Sequence, residues 1–360
     1  MLRRYAPRND KENSSVKSEL SYEKAGVNID LADATKRDMA KSLATRNARV
    51  LNKIGAFAAL FDGSFPDLKQ PVLVLKTEEP GSKQLLAFRY NRLRSICADL
   101  INHLVNDIAV MGATPLAVQD AIICGKLEQE KVNTLVDAIA KACQENECVL
   151  TGGETSEQPG VLEEGRYILT SSIVGVVEKD RIIDGSKIQT GDVILAIASN
   201  GLHTNGYSLV RALMAQQPEI LEETVAGENF LDVILKPHQA YYRTIKALFG
   251  LDGLHGMAHI TGGGMQGNLN RILPEGCNAL IDLSQIHVLP IFTYIKEKGN
   301  VPESDMLRTF NLGVGMTMVV KPTIVEHVIN HLAPYHCQSY AIGTIIRGNQ
   351  QVVFEHRLNW

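Results

Sequence analysis

The stretch that most limits what this chain can fold into is RSICADLINHLVNDIAVMGATP, residues 94–115. Leu100, Ile101, Leu104, Val105, Ile108 and Met111 recur at helical spacing, so one side of a long helix has to be buried. Gly112 is suited to cap that helix, and Pro115 stops it from continuing. Apolar runs bounded by proline and glycine lie on either side, PVLVLKT at 71–77 and PLAVQDAIICG at 115–125. A second amphipathic helix is predicted over 129–147 through Val132, Leu135, Val136, Ile139 and Cys143, followed by strands at CVLTGG and YILTSSIVGVVE. Helices that alternate with strands and carry one apolar stripe have to pack on a sheet, so the fold class is α/β or α+β.

At 360 residues the chain exceeds one ordinary core. A turn-rich segment, RIIDGSKIQTGD (181–192), separates the first cycle of elements from a second that begins with VILAIAS. The expected organisation is a mobile polar tail over 1–20, an N-terminal domain over 21–185 and a C-terminal domain over 186–360. With 45% of residues hydrophobic and 21% charged, each domain has enough apolar material for its own core. A net charge of −4 with no long basic run argues against nucleic-acid or anionic-membrane partners and favours a small molecule. Cys97, Cys124, Cys143, Cys148, Cys277 and Cys337 form no C-x-x-C pair and suit free thiols in a reducing cytoplasm. No apolar run approaches the roughly 20 residues that span a bilayer, and the opening residues lack the apolar core of a secretory signal.

Three places in the first half could carry chemistry. On the helix, steps of about 100° gather Asp99, Asn102, His103, Asn106 and Asp107 into a sector of roughly 140° opposite the apolar stripe. A solvated face would usually carry lysine and glutamate; short acids and amides suit a hard cation such as Mg²⁺. LKTEEPGSK sets Glu78, Glu79, Gly81, Ser82 and Lys83 after a strand, where a carboxylate could meet a metal and a lysine a phosphate; a solvated turn is the plain alternative. In VLTGGETSEQPG the strand is read as ending at Gly152 and Gly153, whose bare backbone can approach anionic oxygens, with Glu154 and Thr155 close behind.

In the second half, GLHTNGYSLVR places His203, Asn205 and Gly206 at a turn opening a helix, a position that favours a substrate phosphate. AHITGGGMQGN offers a comparable turn with His259, Thr261, Gly262, Gly263 and Gly264. A helix cap or a core histidine is the plain reading of His203 taken alone.

Taken together, SYEKAGVNID, VNDIAVMGATPL, GGETSEQPG, VGVVEKDRIIDGSKI, GLHTNGYSLVR, AHITGGG, RTFNLGVGM and AIGTI resemble the phosphoribosylformylglycinamidine cyclo-ligase (aminoimidazole ribonucleotide synthetase) family, in that family's order. The resemblance implies a two-domain PurM-like fold, shared with selenophosphate synthetase, the hydrogenase-maturation carbamoyl-dehydratase and thiamine-monophosphate kinase. It implies a homodimer in which N-terminal strands of two subunits form a barrel, and a C-terminal mixed sheet with helices. The implied reaction is ATP- and Mg²⁺-dependent ring closure of formylglycinamidine ribonucleotide. In it the formamide oxygen is phosphorylated, a nitrogen attacks the activated carbon, and phosphate leaves.

Carried onto this chain, the resemblance implies His203, Lys83 and Asp107 as catalytic. Glu78, Gly81, Ser82, Lys83, Asp99, Asn106, Gly152 and Gly153 would bind nucleotide, and Glu78, Asp99, Asp107 and Glu154 would hold the metal. Thr155, His203, Asn205, Thr261, Gly262 and Gly263 would bind substrate, and Asp120 matches a family acid. The chain departs from the family in its first half: TDGVGTK becomes TEEPGSK, GGFG thins to KIGAFAAL with Gly55, YILTSSIVG lacks the DxxG pattern, and Ala40 stands at a lysine position beside Lys41. Two other readings therefore stay open, a superfamily relative that phosphorylates another amide or acid, and a non-catalytic scaffold.

Overall fold

The computed structural model describes residues 29–43, 47–52, 56–335 and 337–360. The tail expected over 1–20, Gly55, and the side chains of Ala40 and Lys41 lie outside the described residues. Four strands, β1 (Pro71–Glu78), β2 (Thr114–Cys124), β3 (Val149–Glu157) and β4 (Tyr167–Glu178), form the first sheet in the order β1-β4-β2-β3. Neighbours are antiparallel except for β2 and β3, which are parallel and joined through helix α4 (Gln129–Glu145). Helix α3 (Leu93–Ala109) lies on the same face, and the helix α1 (Ile29–Ser42) packs on α4. The apolar stripe of α3 is buried as its spacing requires: Ile96, Leu100, Ile101, Leu104 and Val105 join Val118, Ile122, Leu169 and Ile173 from the sheet in one core.

Strand β3 does not end at its glycines. It runs through Gly152 and Gly153 to Glu157, with a register shift opposite Val118 and Gln119. Gly153 pairs with Asp120 so closely that a Cβ would lie 2.0 Å from the Asp120 Oδ1. Here the glycine makes room for a neighbouring carboxylate instead of breaking the strand.

The other face of this sheet is open. In β1 the odd-numbered residues point outward, leaving Leu73 55% and Leu75 70% exposed. The sheet closes no barrel within one chain.

The second sheet has six strands: β5 (Val193–Ala198), β8 (Leu254–His259), β9 (Cys277–Asp282), β10 (Val314–Val320), β11 (Ser339–Arg347) and β12 (Val352–Glu355), in the order β12-β9-β11-β5-β10-β8. A two-residue ribbon, β6 (Thr224–Val225) with β7 (Glu228–Asn229), stands apart from it. Leu195, Ile197, Met257, Met316 and Met318 share the core of α3 and α4, whereas Ile194, Ala196, Ala258 and Val319 belong to a second core with Tyr207, Val210 and Leu213 of α5 (Tyr207–Gln216).

What fixes the second half against the first is the polar side of α3. Ser95, Asp99, Asn102 and Asn106 recur at helical spacing in a strip about 60° wide. Against it lies Leu235–Tyr241, and the strip binds that segment's backbone. Ser95 Oγ donates to the Leu235 carbonyl (2.6 Å), and Asp99 Oδ1 accepts from His238 N (2.7 Å). Asn102 donates to the His238 carbonyl (2.6 Å), while Asn106 donates to the Gln239 carbonyl (2.8 Å) and accepts from Tyr241 N (2.9 Å). Lys83, the first residue of α2 (Lys83–Arg89), takes the Lys236 carbonyl (2.7 Å), and Asn200 takes that of Pro237 (2.9 Å). The lengths agree, because eleven residues of helix rise about 16 Å, close to five residues of extended chain.

Lys83 is wholly buried, with Nζ 2.8 Å from both Asp99 oxygens and 3.0 Å from the His203 carbonyl. Burial pushes the Lys83 ammonium down and the Asp99 carboxyl up to about 6, while their contact opposes both shifts. Removing one partner of such a pair leaves a buried charge uncompensated. Lys83→Met is therefore expected to lower unfolding stability by about 3–5 kcal/mol, and Lys83→Met/Asp99→Leu to recover most of it. Urea denaturation measures both, and a single variant as stable as wild type would refute the clamp.

Candidate active site

Beside the docking strip, His103 and Asp107 occupy the adjoining sector of α3 and face a cleft between the two halves. The second half supplies His259 at the end of β8, His203 and Thr204 from the loop before α5, and His238 from the docked segment. Asp107 Oδ1 lies 2.7 Å from His259 Nδ1, and His259 Nε2 lies 2.9 Å from His238 Nε2. The His238 ring stacks on His203 with centroids 3.9 Å apart, and His103 Nδ1 meets Thr204 Oγ1 at 3.2 Å. On the sheet side, Lys76 Nζ bridges Glu78 (2.6 Å) and Asp107 Oδ2 (3.0 Å).

His203 adopts a left-handed backbone, φ 58°, which is strained for a residue with a Cβ. Its pose depends on Gly315, where a Cβ would stand 1.9 Å from the Tyr241 hydroxyl and 2.9 Å from His203 Cε1. Tyr241 is pinned in turn by its hydrogen bond to the Ala198 carbonyl. The loop 261–264 is tied together by Asn268, whose amide reaches the Thr261, Gly262 and Gly264 carbonyls. Asn205 lies against Gly262, so the two second-half motifs meet at one edge of the cleft.

Burial, then neighbouring cations and histidines, hold His203 and His238 well below the usual imidazole range; burial and His259 push His103 down to about 4. Burial would raise the Asp107 carboxyl, but His259, His103 and Lys76 outweigh it and keep the group ionised. Burial also works against the Lys76 ammonium, and Glu78 and Asp107 more than compensate. The cleft thus holds the uncharged rings of His203, His238 and His103 beside a carboxylate–lysine–carboxylate bridge.

The structure separates the expected site residues into four groups. His203, Asn205, Thr261, Gly262, Gly263, Asp107 and Glu78 meet around the cleft. Gly81 lies against the Thr204 carbonyl, and Ser82 precedes α2 without a side-chain capping bond. Lys83, Asp99 and Asn106 are not on an open surface: all three are buried and committed to the docked segment. Gly152, Gly153, Glu154 and Thr155 are on β3, at the sheet edge opposite β1, three strand spacings or about 14 Å away. Glu154 cannot share one ion with Glu78 in a single chain.

Sequence assigns no role to Lys76 or His238 and singles out His103 only as a member of the polar sector of α3. Lys76 was discoverable, because strand alternation puts it on the same face as Glu78. His238 gives no local signal, since only the docking brings it to the cleft.

Two domains with a polar cleft at their junction define the class, and similarity supports it. Residues 62–177 match the family described as AIR synthase related protein, N-terminal domain, and residues 189–355 match AIR synthase related protein, C-terminal domain. The chain belongs to the phosphoribosylformylglycinamidine cyclo-ligase family. It is 41% identical over 334 residues to the protein of that name from Methylobacillus flagellatus, covering 92% of this chain and 96% of the relative. It is 39% identical over 327 residues to the one from Exiguobacterium sibiricum, covering 90% and 95%. Among solved structures it is similar in fold to Escherichia coli HypE (TM-score 0.67, 17% identity, 90% of this chain and 94% of that one). A HypE solved in complex with ATP is also similar (TM-score 0.63, 19% identity, 90% of each chain). No helix among the described residues is long and apolar enough to cross a membrane, and all six cysteines are free and buried.

Asp120 is a further acid, half-buried on the helix-covered side of β2, and removal of its carboxyl from water pushes it up to about 7. A carboxyl raised on folding contributes stability fully below its unfolded value, near pH 4, and loses that contribution as pH rises through about 7. Asp120→Asn should therefore raise the denaturation midpoint relative to wild type at about pH 8.5 and lose that gain at about pH 4.5. Equal shifts at both pH values would contradict a buried, raised carboxyl.

Proposed function

We propose that this chain is a cytoplasmic ATP-dependent cyclo-ligase that closes formylglycinamidine ribonucleotide to aminoimidazole ribonucleotide, releasing ADP and phosphate. The observation that carries this reading is the meeting of the LHTNG and HITGGG loops with the acids of α3 and β1 in one cleft. Relatives bearing the cyclo-ligase name match the chain across both halves.

The donor set fits a hard cation at one position. Glu78 and Asp107 already share a cation, the Lys76 ammonium, and these two carboxylates would hold Mg²⁺. Asp99 and Glu154 do not fit that role, one being spent on Lys83 and the other standing at the far sheet edge. When bound, Mg·ATP supplies the transferable phosphoryl group and offsets its charge. Lys76 replaces Lys83 as the cation beside the phosphates. The loops around Asn205 and Gly262–Gly264 hold the phosphoribosyl end of the substrate. His203, its ring uncharged near pH 7, would stand beside the attacking nitrogen. Because closure is intramolecular, fixing the reacting ends in this cleft removes much of the barrier.

Two experiments test this reading. Purified protein with ATP, Mg²⁺ and formylglycinamidine ribonucleotide should yield aminoimidazole product and ADP together, and Asp107→Asn should cut turnover by about 100- to 1,000-fold while circular dichroism stays unchanged. ADP without the imidazole would instead indicate phosphorylation of another amide or acid, and neither product would indicate a scaffold.

The reading also includes a homodimer. The outward face of the first sheet presents the exposed Leu73 and Leu75, with the half-buried Val174 opposite Leu75, an apolar surface that a second copy would cover. Sedimentation at micromolar concentration should give a dimer, and Leu75→Glu should shift it toward monomer. A wild-type monomer would refute the shared barrel.

A further inference from the structure

We propose that His203, His238 and His259 form a three-imidazole site for a borderline divalent transition-metal ion of the Zn²⁺ class. One nitrogen from each ring lies within 4.8 Å of the others, and all three residues are buried. Tetrahedral coordination at about 2.0–2.1 Å places ligand nitrogens about 3.4 Å apart, so the rings must turn to converge, and the His203 and His238 pair, stacked with planes 18° apart, must tilt out of its stack.

The hydrogen-bond accounting points to an ion. His203 is 1% exposed, yet neither ring nitrogen has a partner, and His238 Nδ1 has none either. Leaving such groups unsatisfied in a buried place is costly. His259 Nδ1 faces Asp107 Oδ1 and donates to it, and its Nε2 faces His238 Nε2 at 2.9 Å. Without a cation, one of these two facing nitrogens must carry a proton, and His238 Nδ1 is left without a partner either way. With a cation, lone pairs from three rings are used at once.

The Asp107–His259 contact is also the carboxylate–histidine arrangement that orients and strengthens a metal-binding imidazole. Imidazole nitrogens favour Zn²⁺, Co²⁺, Ni²⁺ and Cu²⁺ over Mg²⁺, so this site is distinct in chemistry from the oxygen pair Glu78 and Asp107. Three protein ligands leave one position for water or a substrate oxygen.

Two other groups compete for this assignment. His103, Asp107 and His259 overlap the site, and Asp282, Glu355 and His356 form an exposed cluster elsewhere. The full chain, stripped with chelator and dialysed, is titrated with Zn²⁺ against a chromophoric competitor and with Co²⁺ by visible absorption. The expected result is one tight equivalent per chain with the intense bands of tetrahedral Co²⁺. His203→Ala and His238→Ala should each weaken binding by at least about 100-fold, and Asp107→Asn by about 10- to 100-fold, with His103→Ala and His356→Ala near wild type. Absence of stoichiometric uptake by the wild type, a weak octahedral Co²⁺ spectrum, or loss in His103→Ala or His356→Ala in place of His238→Ala would overturn the site. The wild-type titration needs no variant to fold, and binding is read without turnover, so it stands apart from the ligase assignment.

Discussion

The structure hangs on one polar strip. A segment of extended chain buried between two domains carries carbonyls and N–H groups that cannot reach water, and each unpaired one would be costly. Ser95, Asp99, Asn102 and Asn106, with Lys83 and Asn200 beside them, pair all five carbonyls of residues 235–239 and the amides of His238 and Tyr241. Pro237 fits here because it brings no N–H to be satisfied. A short side chain is required at each point of the strip, since longer ones would hold the segment away from the helix. Apolar packing of Tyr241 and Tyr242 in the core of α3 and α4 adds the hydrophobic part of the same junction.

That junction decides which polar residues remain for chemistry. A rotation of about one residue around α3 separates Asn106, which binds backbone, from Asp107, which faces the cleft. Similarly, Lys83 is drawn into the junction, while Lys76, on the neighbouring strand, stays at the cleft with Glu78. The cleft therefore inherits its pattern from the docking: acids, an ammonium and the His103 ring on the first half, the other three imidazoles on the second. His238 is the direct product of this arrangement, because its backbone is fixed by Asp99 and Asn102 and its ring is thereby presented to His203 and His259.

Sequence made the periodic parts legible. The apolar stripe of α3, the helix α4 and the strands around them follow from spacing, because burial on one side imposes a period of 3.6 or 2. The resemblance assigns LHTNG and HITGGG to one substrate, and in the fold Asn205 lies against Gly262. What could not be read was how the α3 polar residues divide. An amide that binds a ligand and one that binds a carbonyl more than a hundred residues away look alike in one dimension. The glycines of β3 misled for a related reason: glycine usually weakens a strand, yet here it accommodates Asp120 across the ladder.

The cleft concentrates features that disfavour folding: a histidine with positive φ, buried ring nitrogens without partners, and carboxylates close together. Strain of this kind, about 1–3 kcal/mol for a residue such as His203, persists only where its surroundings over-determine the pose. Those surroundings are identifiable. Tyr241 is held at both ends, by Asn106 at its amide and by the Ala198 carbonyl at its hydroxyl, and Gly315 gives His203 the space beside it. Lys83 binds the His203 carbonyl from the other side. The buried pair Lys83–Asp99 thus has a use that its modest contribution to stability would not by itself explain, because it fixes the backbone from which a strained ring projects into the cleft. Positioning of that ring, more than direct contact with a nucleotide, is what the geometry asks of Lys83.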